Sequence, residues 1–121
     1  MNPLHLEYFR RKLLEWRSEV LAEFSETLDH LRFESVSEPD LTDRATREAD
    51  RSLELRTRDR ERKLIFKIDE ALLRIEDGTY GYCADTDEPI GLRRLEARPI
   101  ATLCLEAQQR HERRERTQRG D

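Results

Sequence analysis

The stretch LEYFRRKLLEWRSEVLAEFSETLDHL, residues 6–31, decides the fold. Its apolar residues Leu6, Phe9, Leu13, Trp16 and Val20, then Phe24, Leu28 and Leu31, recur at steps of three and four, which is one face of one long helix. Asn2 and Pro3 ahead of it read as an N-cap and a first helical residue, where the missing proline N–H costs nothing. The stripe stops at Ser35-Val36-Ser37-Glu38-Pro39, because proline pushes the preceding residue out of helical conformation. A second stripe runs through Ala45, Ala49 and Leu53 and resumes at Leu64, Ile68, Leu72 and Ile75, with Gly78 as the stop. Between its halves lies the charge run Arg56 to Lys63, which either weakens the seam or carries a contact. Two such helices of about 30 residues, each about 45 Å long at 1.5 Å per residue, cannot bury their stripes separately. The sequence therefore predicts a mainly α chain built on a long antiparallel helical hairpin, a coiled-coil rod over residues 1–77 with its tip at about 34–45.

Composition agrees with that reading. Among 121 residues, 41% are charged and 7% aromatic, which suits solvent-bathed helices better than a large core. With 23 basic and 27 acidic residues the net charge is -4, so nothing attracts nucleic-acid phosphates in bulk. The opening Met1-Asn2-Pro3-Leu4-His5-Leu6-Glu7 lacks the basic start and apolar run of a signal peptide, and no stretch approaches membrane-spanning length. A cytoplasmic monomer that touches no membrane is the expectation. Cys83 and Cys104 are the only cysteines, and a single pair in a reducing compartment reads as free thiols.

From Thr79 the texture changes to Tyr80, Gly81, Tyr82 and Cys83, a turn-like segment to Pro89, then Ile90 and Gly91. Residues 78–121 are expected to form a small zinc-finger-like globular domain with a C-terminal helix that Thr102 caps, that carries Leu103, Leu105 and Ala107, and that fades into the charged tail from Arg110. A structural zinc site needs four soft or borderline ligands in two close pairs. Here the pairs are half empty: Cys83 stands with Thr86 and Cys104 with Ala107, and neither alanine nor a neutral hydroxyl serves zinc. His111 on the last helix is the one further donor within reach of Cys104, so metal binding stays open only as the minor alternative. A metal-free knuckle needs apolar packing, for which Tyr80, Tyr82, Ile90, Leu92, Leu95, Ile100 and Leu103 are the candidates.

The pattern Cys83-x2-Thr86-x3-Ile90-x3-Arg94-x4-Pro99-x4-Cys104-x2-Ala107 resembles the DksA/TraR zinc-finger signature with its second and fourth cysteines replaced. PDLTDRA at residues 39–45 and SLELRTRDRERKL at 52–64 resemble the tip and second helix of that family, and Phe9-Arg10-Arg11 with Glu15-Trp16-Arg17 extends the match into the first helix. The resemblance runs from about Leu6 to the last helix, without the N-terminal extension of longer members. It implies a factor, not an enzyme, that inserts its hairpin into the secondary channel of bacterial RNA polymerase and brings the tip near the active centre. Acting with the alarmone ppGpp in the stringent response, it alters promoter complexes without sequence-specific DNA binding. The knuckle resembles that of zinc-independent paralogues, which implies no resident cofactor.

By the same resemblance Asp40, Asp43 and Ala45 occupy the functional tip positions, Arg60 contacts the polymerase entrance, and Leu64, Lys67 and Arg98 line a ppGpp site formed jointly with polymerase. Gln108 stands where many members carry lysine, which implies weaker ppGpp synergy. From the bare sequence the stronger reading is capping, with Asp40 an N-cap and Asp43 a carboxylate at the positive end of a helix; the resemblance reverses it for Asp43 and Ala45. The run at Arg56–Lys63 taken alone is a solvated face, and the arginine-rich segment Arg110–Arg119, interrupted by Glu112 and Glu115, a solvated helix end. Two other functions compete. A Gre-like transcript cleavage factor would hold magnesium on Asp40 and Asp43, and a structural coiled-coil adaptor would need only the seam.

Overall fold

The computed structural model describes residues 1–34 and 41–119, with side chains described except at 30–34, 41–43 and 119. Four helices follow in order: α1 (Pro3–Glu34), α2 (Leu41–Asp77), α3 (Leu92–Ala97) and α4 (Leu105–Arg119). Among the described residues there is no strand, only an isolated antiparallel bridge between Tyr82 and Pro89, and no helix long and apolar enough to cross a membrane. The chain divides into two compact units, Leu14–Asp69 and the pair of segments Met1–Leu13 with Glu70–Asp121.

In the unit 14–69, α1 and α2 run antiparallel as a hairpin: Arg17 meets Asp69, Phe24 meets Arg58, and Thr27 meets Glu61. Val20 and Ile68 are buried between the helices and Phe24 and Leu28 are partly covered, as the first stripe predicts. Leu31 lies outside the described side chains. The second stripe holds at Leu64 and Ile68, as it does at Leu72 and Ile75, but not toward the start of α2. Ala45, Ala49 and Leu53 are exposed, and Arg47, Glu54, Arg58 and Glu61 are covered instead. The reason is register, since Arg47, Glu54, Glu61 and Ile68 follow at seven-residue steps on the side that faces α1, about 100° per residue away from Leu53. The charge run does not interrupt α2; it supplies a polar half to the seam. There the Arg58 guanidinium lies over the Phe24 ring, 4.8 Å from its centroid, and Thr27 reaches Glu61 at 3.4 Å.

In the other unit, the Asn2 side chain accepts a hydrogen bond from the Leu4 N–H at 2.8 Å, which is the expected N-cap. Gly78, at φ +84°, ends α2, and the Thr79 and Tyr80 N–H groups both close on the Arg74 carbonyl at 3.0 and 3.1 Å. Phe9, Leu13 and Ala71 from the long helices pack with Tyr80, Cys83, Ile90, Leu95, Ala101 and Ala107 as one core, which Ile100 and Leu103 border. Tyr82 and Leu92, expected in that core, are 39% and 45% exposed. Each directly adjoins a turn glycine, Gly81 at φ +90° and Gly91 at φ +99°, and the buried positions fall to Tyr80, Cys83 and Leu95. A side chain at Gly81 would be strained at φ +90°, and its β-carbon would push aside the end of the Met1 side chain and touch Leu95. Thr102 does not cap α4. The helix begins at Leu105, the Cys104 carbonyl receives the Gln108 N–H at 3.0 Å, and the Thr102 carbonyl ties down the Ala84 N–H instead. Leu105 is 57% exposed while Ala107 is fully buried. The helix does not fade at Arg110 but continues to Arg119.

Glu61 is 8% exposed, and its Oε2 has no hydrogen-bond partner among the described residues. A carboxylate so placed costs more than an apolar side chain of similar size. Glu61→Met is expected to raise the thermal unfolding midpoint by about 3–6 °C, corresponding to about 1 kcal/mol. A lowered midpoint by calorimetry would show that the carboxylate is compensated.

Candidate functional site

On α2, Arg60, Leu64 and Lys67 sit four and three residues apart and so share one face. Arg60 and Lys67 are exposed and Leu64 is partly covered beside the seam. This places two cations and an apolar step on the outside of one continuous helix. Of the tip residues, Ala45 is exposed in the first turns of α2. Asp40 lies outside the described residues, as does the side chain of Asp43.

Arg98 belongs to the other unit. It is the C-cap of α3, with its N–H on the Arg94 carbonyl at 2.8 Å, and it is exposed. Two residues before it, the Glu96 Oε1 accepts hydrogen bonds from the Tyr8 hydroxyl and from Lys12 Nζ, both at 2.7 Å. The Lys12 ammonium, then the Tyr8 hydroxyl, hold the Glu96 carboxyl below its usual range, and the same carboxylate raises the Tyr8 phenol. No sequence signal announced this cluster, because its members lie 84 and 88 residues apart. Gln108 is partly covered and its amide reaches Glu112 at 3.3 Å.

The knuckle gathers Cys83, Thr86, Cys104 and Ala107. Cys83 is buried and Cys104 partly so, and both thiols are free. Burial pushes the Cys83 thiol up, but hydrogen bonds from the Thr86 hydroxyl, then from the backbone N–H groups of Cys104, Thr86 and Asp85, outweigh it and bring the thiol down to about 6. The Thr86 hydroxyl also accepts the Glu88 N–H at 3.3 Å. Ala107 packs its methyl into the core with no exposed surface, and His111 commits Nε2 to Asp85 at 2.7 Å. Among the described residues no three His, Cys, Asp or Glu side chains are grouped to hold a metal. Two thiols with a neutral hydroxyl and a methyl do not fit tetrahedral zinc. Among the bonds that join the two halves of the knuckle are Ala84 N–H to the Thr102 carbonyl at 2.8 Å and His111 to Asp85.

Residues 5–75 match the family described as the DnaK suppressor protein DksA N-terminal domain, and residues 78–113 match the prokaryotic dksA/traR C4-type zinc finger. The chain belongs to the DksA/TraR family. A Caulobacter vibrioides protein named RNA polymerase-binding transcription factor DksA is 64% identical over 121 residues, which cover 100% of this chain and 85% of that protein. The Escherichia coli K12 protein of the same name is 47% identical over 120 residues, covering 99% and 80%. The solved structure of transcription factor DksA2 from Pseudomonas aeruginosa superposes with a TM-score of 0.90 at 46% identity, over 96% of this chain and 89% of that one.

Because the Cys83 thiol is lower in the folded chain than the ordinary 9.0, it contributes stability that is full above about pH 9 and is lost as pH falls through about 6. In a Cys104→Ser background, thiolate absorbance should titrate with a midpoint near 6. Thr86→Val should move that midpoint upward and flatten the gain in thermal stability between pH 6 and 9. A midpoint in the ordinary thiol range before that substitution would refute the assignment.

Proposed function

We propose that this chain is a transcription regulator that binds bacterial RNA polymerase in the cytoplasm, entering the secondary channel with the hairpin and bringing the tip near the active centre. The observation that carries the reading is a match running the whole length of the chain to relatives named RNA polymerase-binding transcription factors. The geometry supports it, since a long uninterrupted α2 carries Arg60 and Lys67 exposed on one face. In this reading Asp40, Asp43 and Ala45 act at the tip and Arg60 contacts the channel entrance. Leu64, Lys67 and Arg98 meet ppGpp jointly with polymerase, where a polyphosphate needs cationic donors from more than one element. A net charge of -4 suits a factor that acts on polymerase and does not read DNA.

The same proposal holds that the factor works without zinc, because the knuckle donors are spent on one another and on the core. Transcription from a ribosomal RNA promoter by purified polymerase tests both halves. Chelator-treated protein is expected to inhibit, more strongly with ppGpp, and Asp43→Asn is expected to lose most of that effect with the fold intact. Inhibition that vanishes on chelation would reject the zinc-free reading, and no inhibition at saturating protein would leave a structural coiled-coil adaptor.

Gln108 offers an amide where a lysine would offer a charge. Gln108→Lys is expected to lower the half-maximal ppGpp concentration about threefold, in keeping with one added charge-assisted contact. An unchanged concentration would remove Gln108 from the site.

A further inference from the structure

Arg98 is exposed and its guanidinium makes no ion pair among the described residues, yet its backbone is fixed on both sides. Its N–H closes on Arg94 at 2.8 Å and its carbonyl receives the Ala101 N–H at 3.0 Å. Pro99, next in sequence, is buried, and its carbonyl accepts the buried Tyr80 hydroxyl at 2.8 Å. On the other side the tie is Glu96. Lys12 Nζ reaches both its backbone oxygen, at 2.9 Å, and its Oε1, at 2.7 Å, while the Tyr8 hydroxyl takes the same Oε1. The ammonium also lies 5.9 Å from the Tyr8 ring centroid.

We propose that Lys12 and Tyr8, acting through Glu96, are positioning residues that hold the last turn of α3 so that Arg98 is presented to a polyphosphate. The inference rests on the ppGpp reading given above. Two physical effects join in the cluster. A helix of six residues has no cooperative stability of its own, so the direction of its last turn depends on outside ties, and Lys12 provides a double one to α1. The second effect is electrostatic. A carboxylate two residues from Arg98 is a natural competitor for its guanidinium, and a phosphate must displace it. Engaged by an ammonium and a phenol on the α1 side, Glu96 leaves Arg98 uncommitted. An ordinary surface ion pair, worth a fraction of a kcal/mol in stability, carries neither consequence.

The test is the ppGpp dependence of promoter inhibition, read as a half-maximal concentration, beside inhibition without ppGpp. Lys12→Met is expected to raise the half-maximal concentration about fivefold, as the loss of charge-assisted bonds implies, with inhibition in its absence within about twofold of the parent. Lys12→Arg, which keeps the charge, should restore most of the response, and Tyr8→Phe should act in the same direction as Lys12→Met but less. Glu96→Gln weakens the tie and leaves the Lys12 charge in place, so it too should raise the concentration. If Glu96→Gln is silent while Lys12→Met is not, Lys12 touches the ligand directly and the positioning role is overturned. Arg98→Ala separates the two levels: a ppGpp response that survives it removes the site itself, whereas a response lost in Arg98→Ala but intact in Lys12→Met and Glu96→Gln removes only the clamp.

Discussion

Everything in the hairpin depends on the contact between α1 and α2, because each helix carries an apolar stripe that no other part of its own helix can cover. The seam is uneven. Near Ile68 it is dry, and a fully buried side chain of that size contributes about 1.5–3 kcal/mol. Toward Glu54 it is polar, with Thr27, Glu61 and Arg58 in place of branched aliphatics and a cavity of about 340 Å³ lined by Glu26, Thr27, Glu54 and Thr57. Packing there returns little, so helicity rests on propensity and on pairs such as Lys63 with Asp59 at 3.1 Å. A long helix with one firm and one weakly held half opens locally at the weak half first.

The knuckle solves a different problem. A zinc finger draws much of its folding free energy from the ion, whereas the described residues of this knuckle group no three donors for a metal. Here Tyr80, Leu95 and Ala107 are sealed in the core, and the sulfur of Cys83 is surrounded by donors. Ala107 gives its methyl to that core with no exposed surface. A cavity of about 430 Å³ lies beside Cys83, lined by Arg74, Gly78, Tyr82, Asp87 and Thr102 among others.

Periodicity made most of the fold legible. The α1 stripe, the Asn2 cap, the Gly78 stop and the Leu64–Ile75 half of α2 follow from spacing alone, because a dry seam writes its pattern in apolar residues. The Ala45–Leu53 segment misled for the complementary reason. Its covered positions are Arg47 and Glu54, which read as surface in any hydropathy scan, and only the seven-residue step from Ile68 reveals them. Contacts that close a small domain left no trace either. Glu96 with Lys12, Asp85 with His111 and Arg94 with the Leu103 carbonyl join distant or turn residues that have no period to follow. The helical end of α4 was missed because alternating arginine and glutamate look the same in a solvated helix and in a coil.

One regularity links the two units. Arg60 precedes Glu61, Lys67 precedes Ile68 and Arg98 precedes Pro99, and in each pair the first residue is exposed and the second buried. A protein that acts by contact gains nothing from a flexible cation, because ordering it on binding costs about 0.5–1.5 kcal/mol for each long side chain and more if the backbone moves too. Setting Lys67 next to Ile68 and Arg98 next to Pro99, both buried, restrains the backbone at those two cations before any partner arrives. The side chain keeps its freedom in water, and only that remains to be ordered. Under the function proposed above, replacing Ile68 or Pro99 should therefore weaken the contact of the neighbouring cation even where that cation is untouched.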